Sequence, residues 1–234
     1  MAKKTAYMTK AEKVLGVLFF AVYLLVLPLV ADKLIALLSL LLDMKISDAL
    51  ANALYYYVLF AVAVVLFHRF LSKTSARFLD NPARSLITLL IGLLAFYGAN
   101  ELIYRVAHAL FDSHVNLNDT TIAASIRSAP RMTALIVIFL APFVEEVLFR
   151  GLVFGTLRER GRLVAYAVSC ALFAFMHVWT FALSAWDLSY FVLMLQYLVP
   201  GVVFAWCFEH SGNLWTPILL HAAVNALSLL VISR

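Results

Sequence analysis

The sequence predicts an all-α, polytopic integral membrane bundle of seven transmembrane helices, or eight if the first long apolar stretch is divided in two. Three observations predict it. Hydrophobic residues make up 65% of the 234 positions and charged residues only 13%, whereas soluble domains average about 45–50% and about 25%. The mean hydropathy is +0.96. The apolar residues also fall in continuous runs, each long enough to cross about 30 Å of hydrocarbon at 1.5 Å per helical residue. Membrane strands would instead alternate over segments of about 10 residues. A soluble enzyme, a disordered chain and a fibrous protein are excluded.

Taken in order, the expected spans are Val14–Ala31, Leu50–Phe70, Ser85–Leu110, Met132–Thr156, Leu163–Phe181, Leu188–Phe208 and Leu214–Ile232. Met1–Lys13 carries four lysines, like the n-region of a signal peptide. The run from Val14 is too long for an h-region and lacks a small-x-small cleavage site, so it is read as the first span. Leu34–Leu42 is ambiguous: Asp32 and Lys33 interrupt the run, which either extends a long tilted helix or lies in the interface. No repeat, low-complexity tract or linker divides the chain, so residues 1–234 are read as one domain. Cys170 and Cys207 sit in apolar runs without ligand spacing and read as small core hydrophobes.

The basic residues set the expected orientation. With a cytoplasmic N-terminus, Lys3, Lys4, Lys10, Lys13, Arg69, Lys73, Arg77, Arg84, Arg158, Arg160 and Arg162 lie inside, and Lys45, Arg127, Arg131 and Arg234 outside. This follows the positive-inside rule. It also accounts for the net charge of +5 without nucleic acid as a partner. An eight-span count would put the N-terminal lysines outside. A bacterial cell membrane is the expected location.

Charged groups at bilayer depth cost about 2.5–3.5 kcal/mol each on insertion scales and commonly mark function. The fourth span holds Glu145, Glu146 and Arg150. Glu146 and Arg150 are spaced to pair on one helix face. Glu145 lies about 100° round the helix and has no partner on its own span. The fifth span carries His177, and the seventh carries His221 and Asn225 on one face. Each alone reads more simply as a core residue or helix–helix glue. Counted from the cytoplasmic ends, however, all four fall within roughly 10–21 Å of depth, and independent contacts have no reason to converge there. Glu101 and Arg105 read as a pair, Asn100 as a helix contact, and Trp179, Trp186, Trp215 and Tyr55–Tyr57 as interfacial anchors.

These residue types suit water activation and acyl transfer. A carboxylate can take a proton from water, a histidine can share that water, and a second histidine with an amide can donate to an oxyanion. No GxSxG or HExxH motif occurs. A Glu/His/His zinc site built from Glu145, His177 and His221 remains open beside metal-free chemistry.

Glu145-Glu146-x-x-x-Arg150, Phe173-x-x-x-His177 and His221-x-x-x-Asn225, in that order, resemble the CAAX protease and bacteriocin-processing family of intramembrane proteases. The resemblance covers about 132–230. It implies a membrane endopeptidase in which Glu145 is the base, His177 shares the water, His221 and Asn225 hold the oxyanion, and Glu146 and Arg150 support the site. Its substrate would be a membrane-embedded or lipidated peptide or protein, with no required cofactor and zinc as the alternative. A non-catalytic bacteriocin-immunity or binding protein of the same fold, and a proton-coupled transporter, are the rival readings.

Overall fold

The fold was described from a computed structural model, which covers residues 8–110 and 117–232. Ten α-helices account for most of them. These are α1 (Lys10–Leu41), α2 (Asp48–Leu66), α3 (His68–Asp80), α4 (Pro82–Leu110), α5 (Leu117–Ser128), α6 (Pro130–Leu157), α7 (Arg162–Met176), α8 (Trp179–Ala185), α9 (Met194–Ser211) and α10 (Trp215–Ile232). A short 3₁₀ segment, Leu188–Leu193, precedes α9. The all-helical membrane fold is as expected, and no strand occurs among the described residues.

The span count differs from seven. Five described helices are long and apolar enough to cross a membrane, and α7 with α8 makes a sixth if that pair is one span bent by 43°. The apolar part of α10, Trp215–Val231, falls below spanning length. The ambiguous Leu34–Leu42 stretch continues α1 as far as Leu41. The second span stops at Leu66 rather than Phe70. At Phe67 the backbone leaves helical geometry (φ −106°, ψ 20°), and the amphipathic α3 begins. Helix α3 buries Phe70, Leu71 and Thr74 while Arg69 and Lys73 stay exposed.

Local chemistry sets most helix ends. Thr9 and Glu12 form a reciprocal capping box at the start of α1. The second Glu12 oxygen accepts from the Phe70 backbone N–H at 2.7 Å, tying α1 to α3. Ser47 caps α2, and Asn81 Oδ1 accepts from the Arg84 N–H. Helix α9 ends at Gly212 (φ 75°), the left-handed position that favours glycine. Asn213 then caps α10 through the Thr216 N–H and donates to Ser85 Oγ at 2.9 Å.

Burial separates an inner helix from an outer layer. Within the most apolar stretch of α6, 67% of residues are buried, against 17% in α1, α2 and α4. Helix α6 is therefore the axis, with α7, α9 and α10 packed round it and the others facing outward. Val65, Leu94, Leu40 and Leu18 are exposed on that outer layer, as a bilayer-facing surface requires. Both cysteines are free and buried, as expected.

Candidate active site

Helix α6 is not regular. Two π-helical segments, Ile136–Leu140 and Val147–Phe154, flank the short α-helical stretch Ala141–Glu146 that carries both glutamates. A π turn widens the helix and disturbs its carbonyl pairing, and such turns are frequent at functional sites. Here each is met by a side chain from a neighbour. Asn225 Nδ2 donates to Val137 O at 2.8 Å, and Ser169 Oγ donates to Phe149 O at 2.9 Å.

The Glu146–Arg150 pair forms as the spacing predicts, at 3.0 Å with neither side chain exposed. It is part of a larger assembly that the spacing did not show. Arg150 Nη2 also donates to Gly201 O at 3.1 Å, and the guanidinium lies 4.3 Å over the Phe173 ring. Glu146 Oε1 additionally accepts from His221 Nδ1 at 2.9 Å. Because a carboxylate oxygen accepts, that ring nitrogen carries the proton. Phe204 stacks on His221 at 4.6 Å and fixes its plane.

His177 closes α7, just before the bend into α8. Its Nδ1 donates to Phe173 O at 2.8 Å, leaving Nε2 as the bare nitrogen. Tyr197 stacks on the ring at 4.3 Å. His177 Nε2 stands 3.9 Å from Glu145 Oε2, too far for a direct hydrogen bond. That carboxylate oxygen has no hydrogen-bond partner among the described residues.

Glu145, His177, His221 and Asn225 all line one cavity of about 690 Å³. The structure thus brings the four expected residues to one space, with Glu146 and Arg150 packed behind it. Asn100, expected as a helix contact, and Tyr56, expected as an interfacial anchor, also line this cavity. Trp215 also donates to Ser75 Oγ at 2.8 Å, and of Tyr55–Tyr57 only Tyr57 is exposed. Tyr23, on the first span, is buried in the core as well. Nothing in their own segments marks them, because a tyrosine in an apolar run equally suits the interface. The Glu101–Arg105 pair forms at 2.7 Å on an exposed face. The side chain of His108, and His114 altogether, lie outside what is described.

A zinc site would need Glu145, His177 and His221 about one point, each within about 2.0–2.2 Å. Among the described residues no group of three or more His, Cys, Asp or Glu side chains is arranged to hold a metal ion. His221 donates through Nδ1 to Glu146, which leaves its Nε2 toward the cavity, and Glu145 Oε2 and His177 Nε2 are 3.9 Å apart, so these three would be the residues to hold a zinc ion if one binds.

Two curated proteins show what the chain is similar to. "Putative membrane peptidase YdiL" of Bacillus subtilis (strain 168) is 28% identical over 109 residues, which are 46% of this chain and 40% of that protein. "UPF0177 protein YxdF" of Lactococcus lactis subsp. lactis (strain IL1403) is 28% identical over 86 residues, 37% of this chain and 42% of that protein. The chain thus spans about two fifths of the length of each relative. No solved structure matches it. The family model described as "Type II CAAX prenyl endopeptidase Rce1-like" matches residues 127–227. That segment holds Glu145, Glu146, Arg150, His177, His221 and Asn225, so over it the chain is similar to the Rce1-like CAAX endopeptidase family.

Proposed function

We propose that the chain is an intramembrane endopeptidase that hydrolyses a peptide bond of a membrane-associated substrate with a water activated by Glu145. The observation that carries this reading is the convergence of Glu145, His177, His221 and Asn225, from three helices, on one cavity. The 3.9 Å gap between Glu145 Oε2 and His177 Nε2 suits two acceptors sharing one water, each within hydrogen-bond reach of it. Glu145 takes a proton as the water oxygen bonds to the scissile carbonyl carbon. The oxyanion accepts from the second Asn225 amide proton. His221, when protonated, adds its Nε2–H while Glu146 holds Nδ1. Glu145 then passes its proton to the leaving nitrogen as the C–N bond breaks, so the proton taken from water ends on the amine product.

Replacing Glu145 by Gln removes the proton acceptor and keeps the shape. Peptidase turnover is expected to fall by about 10²–10⁴-fold, the usual worth of general acid–base catalysis, with an unchanged thermal midpoint in detergent. Wild-type turnover in that variant would overturn the assignment. The same reading routes no step through a metal. Chelator-washed protein is therefore expected to keep its activity. One zinc per chain, with activity lost on its removal and restored on its return, would refute metal-free catalysis.

A further inference from the structure

A second concavity, a groove of about 700 Å³, lies at the surface where α1, the end of α2 and the start of α3 meet. Part of its lining is apolar: Leu15 of α1 and Ala61, Val62 and Val65 of α2 are all exposed there. Thr9, His68 and Arg69 add a polar end. Buried contacts fix the walls. Gly16 lets α1 settle on Phe67, since a Cβ there would meet the ring at 2.8 Å. Glu12 is only 4% exposed and accepts from the Thr9 and Phe70 backbone N–H groups, each at 2.7 Å. The groove is thus built into the junction of three helices.

Its polar end carries cations that the protein leaves uncompensated. Lys10 stands two positions before Glu12, and Arg69 and Lys73 are one turn apart on α3; all three are exposed. Other cations nearby in the fold are matched. Lys13 meets Glu159 at 2.6 Å, and Arg158 and Arg162 share Glu209 at 2.7 and 2.9 Å. Among the described residues none of Lys10, Arg69 and Lys73 takes part in an ion pair. Glu12 is the carboxylate that lines the groove, and both its oxygens are already engaged, one by Thr9 and one by Phe70. His68 donates through Nδ1 to Val65 O at 2.9 Å, so Nε2 is the ring nitrogen left for another partner. Lys3 and Lys4 precede Thr9 and lie outside the described residues.

An occupant that suits both parts is apolar in its body and anionic at one end. Leu15 is five positions after Lys10 on α1, about 8 Å along the helix, so the two demands fall within one small molecule. A free phosphate would leave the apolar lining bare, and a zwitterionic lipid would leave the cations unmatched. Anionic headgroups are drawn to lysine and arginine clusters at the membrane surface, and a guanidinium holds phosphate oxygens in pairs. We infer that the groove binds one anionic glycerophospholipid, its phosphate held by Arg69 with Lys10 and Lys73 beside it, and an acyl chain laid along Leu15, Val62 and Val65. No residue lines both this groove and the cavity of Glu145, so the site stands independently of the peptidase reading.

Native mass spectrometry of the full chain in detergent counts the lipids that it retains. Phosphatidylglycerol is expected to give one bound lipid per chain at a concentration at least ten-fold below that needed for phosphatidylcholine with the same acyl chains. Arg69→Gln removes the cation and Ala61→Phe fills the groove, and each is expected to abolish that preference. Both positions are exposed, so the lipid-free thermal midpoint of each variant should match the unsubstituted chain. Arg84→Gln alters an exposed cation at the start of α4 that does not line the groove, and it should keep the preference. Equal retention of the two lipids, a preference that survives in either groove variant, or one lost equally in Arg84→Gln overturns the inference.

Discussion

Arg150 has no exposed surface, and its guanidinium is held by Glu146, by the Gly201 carbonyl and by the faces of Phe173 and Phe204. Removing one partner of such a pair leaves the other charge bare and costs about 3–5 kcal/mol. Arg150→Leu is expected to lower the thermal midpoint and the yield of folded protein in detergent. Adding Glu146→Leu should recover part of that loss but not all, because His221 Nδ1 then loses its acceptor. A double variant no more stable than the single one would contradict the pairing. At this scale the sequence was legible where the contact is local. Glu146–Arg150 and Glu101–Arg105 follow from helical spacing alone. Glu146 with His221 and Asn225 with Val137 are 75 and 88 positions apart, and only the packing of α10 on α6 makes them neighbours.

Between elements, two glycines set how closely helices approach. A Cβ on Gly201 would sit 3.3 Å from the Cys170 Cα, against backbone that has no rotamer to yield. A Cβ on Gly92 would meet Cys207 Sγ at 2.5 Å. Helix α9 is thereby drawn against both α7 and α4, and the Gly201 carbonyl comes within reach of Arg150. Gly201→Val is expected to cost about 1–3 kcal/mol, the range for overpacking. Its unfolding midpoint should fall further than that of Gly98→Val, since a Cβ at Gly98 meets nothing within 4 Å. Equal midpoints would argue against the close approach. Apolar run lengths foretold most of these helices. The bend after His177 was not legible, because Val178, where the helix breaks, is neither proline nor glycine. The π segments of α6 were also hidden, since they are met by Ser169 and Asn225 from distant helices.

For the whole molecule, the separation into a buried α6 and an exposed outer layer explains why composition announced a membrane protein while the motifs cluster in one stretch. The outer helices need only be apolar, so α1, α2 and α4 carry little that distinguishes one such bundle from another. The inner helices must also hold charge in the dry interior, and every side chain that does so narrows the possible sequence. Helix α1 nevertheless adds a constraint of its own. Its 32 residues extend about 48 Å at 1.5 Å per residue, well beyond an average hydrocarbon thickness of about 30 Å. Most of the excess is apolar, since Leu34, Leu37, Leu40 and Leu41 are exposed beyond the exposed Asp32 and Lys33. The surrounding lipids must therefore stretch towards the helix, or the helix must lean, each at a fraction of a kcal/mol per Å of mismatch. Reconstitution across a series of acyl-chain lengths is expected to give a higher thermal midpoint in thicker bilayers, and a flat series would remove the effect. The protein would then read membrane thickness through α1, and its population would sort towards the thicker regions of a heterogeneous membrane.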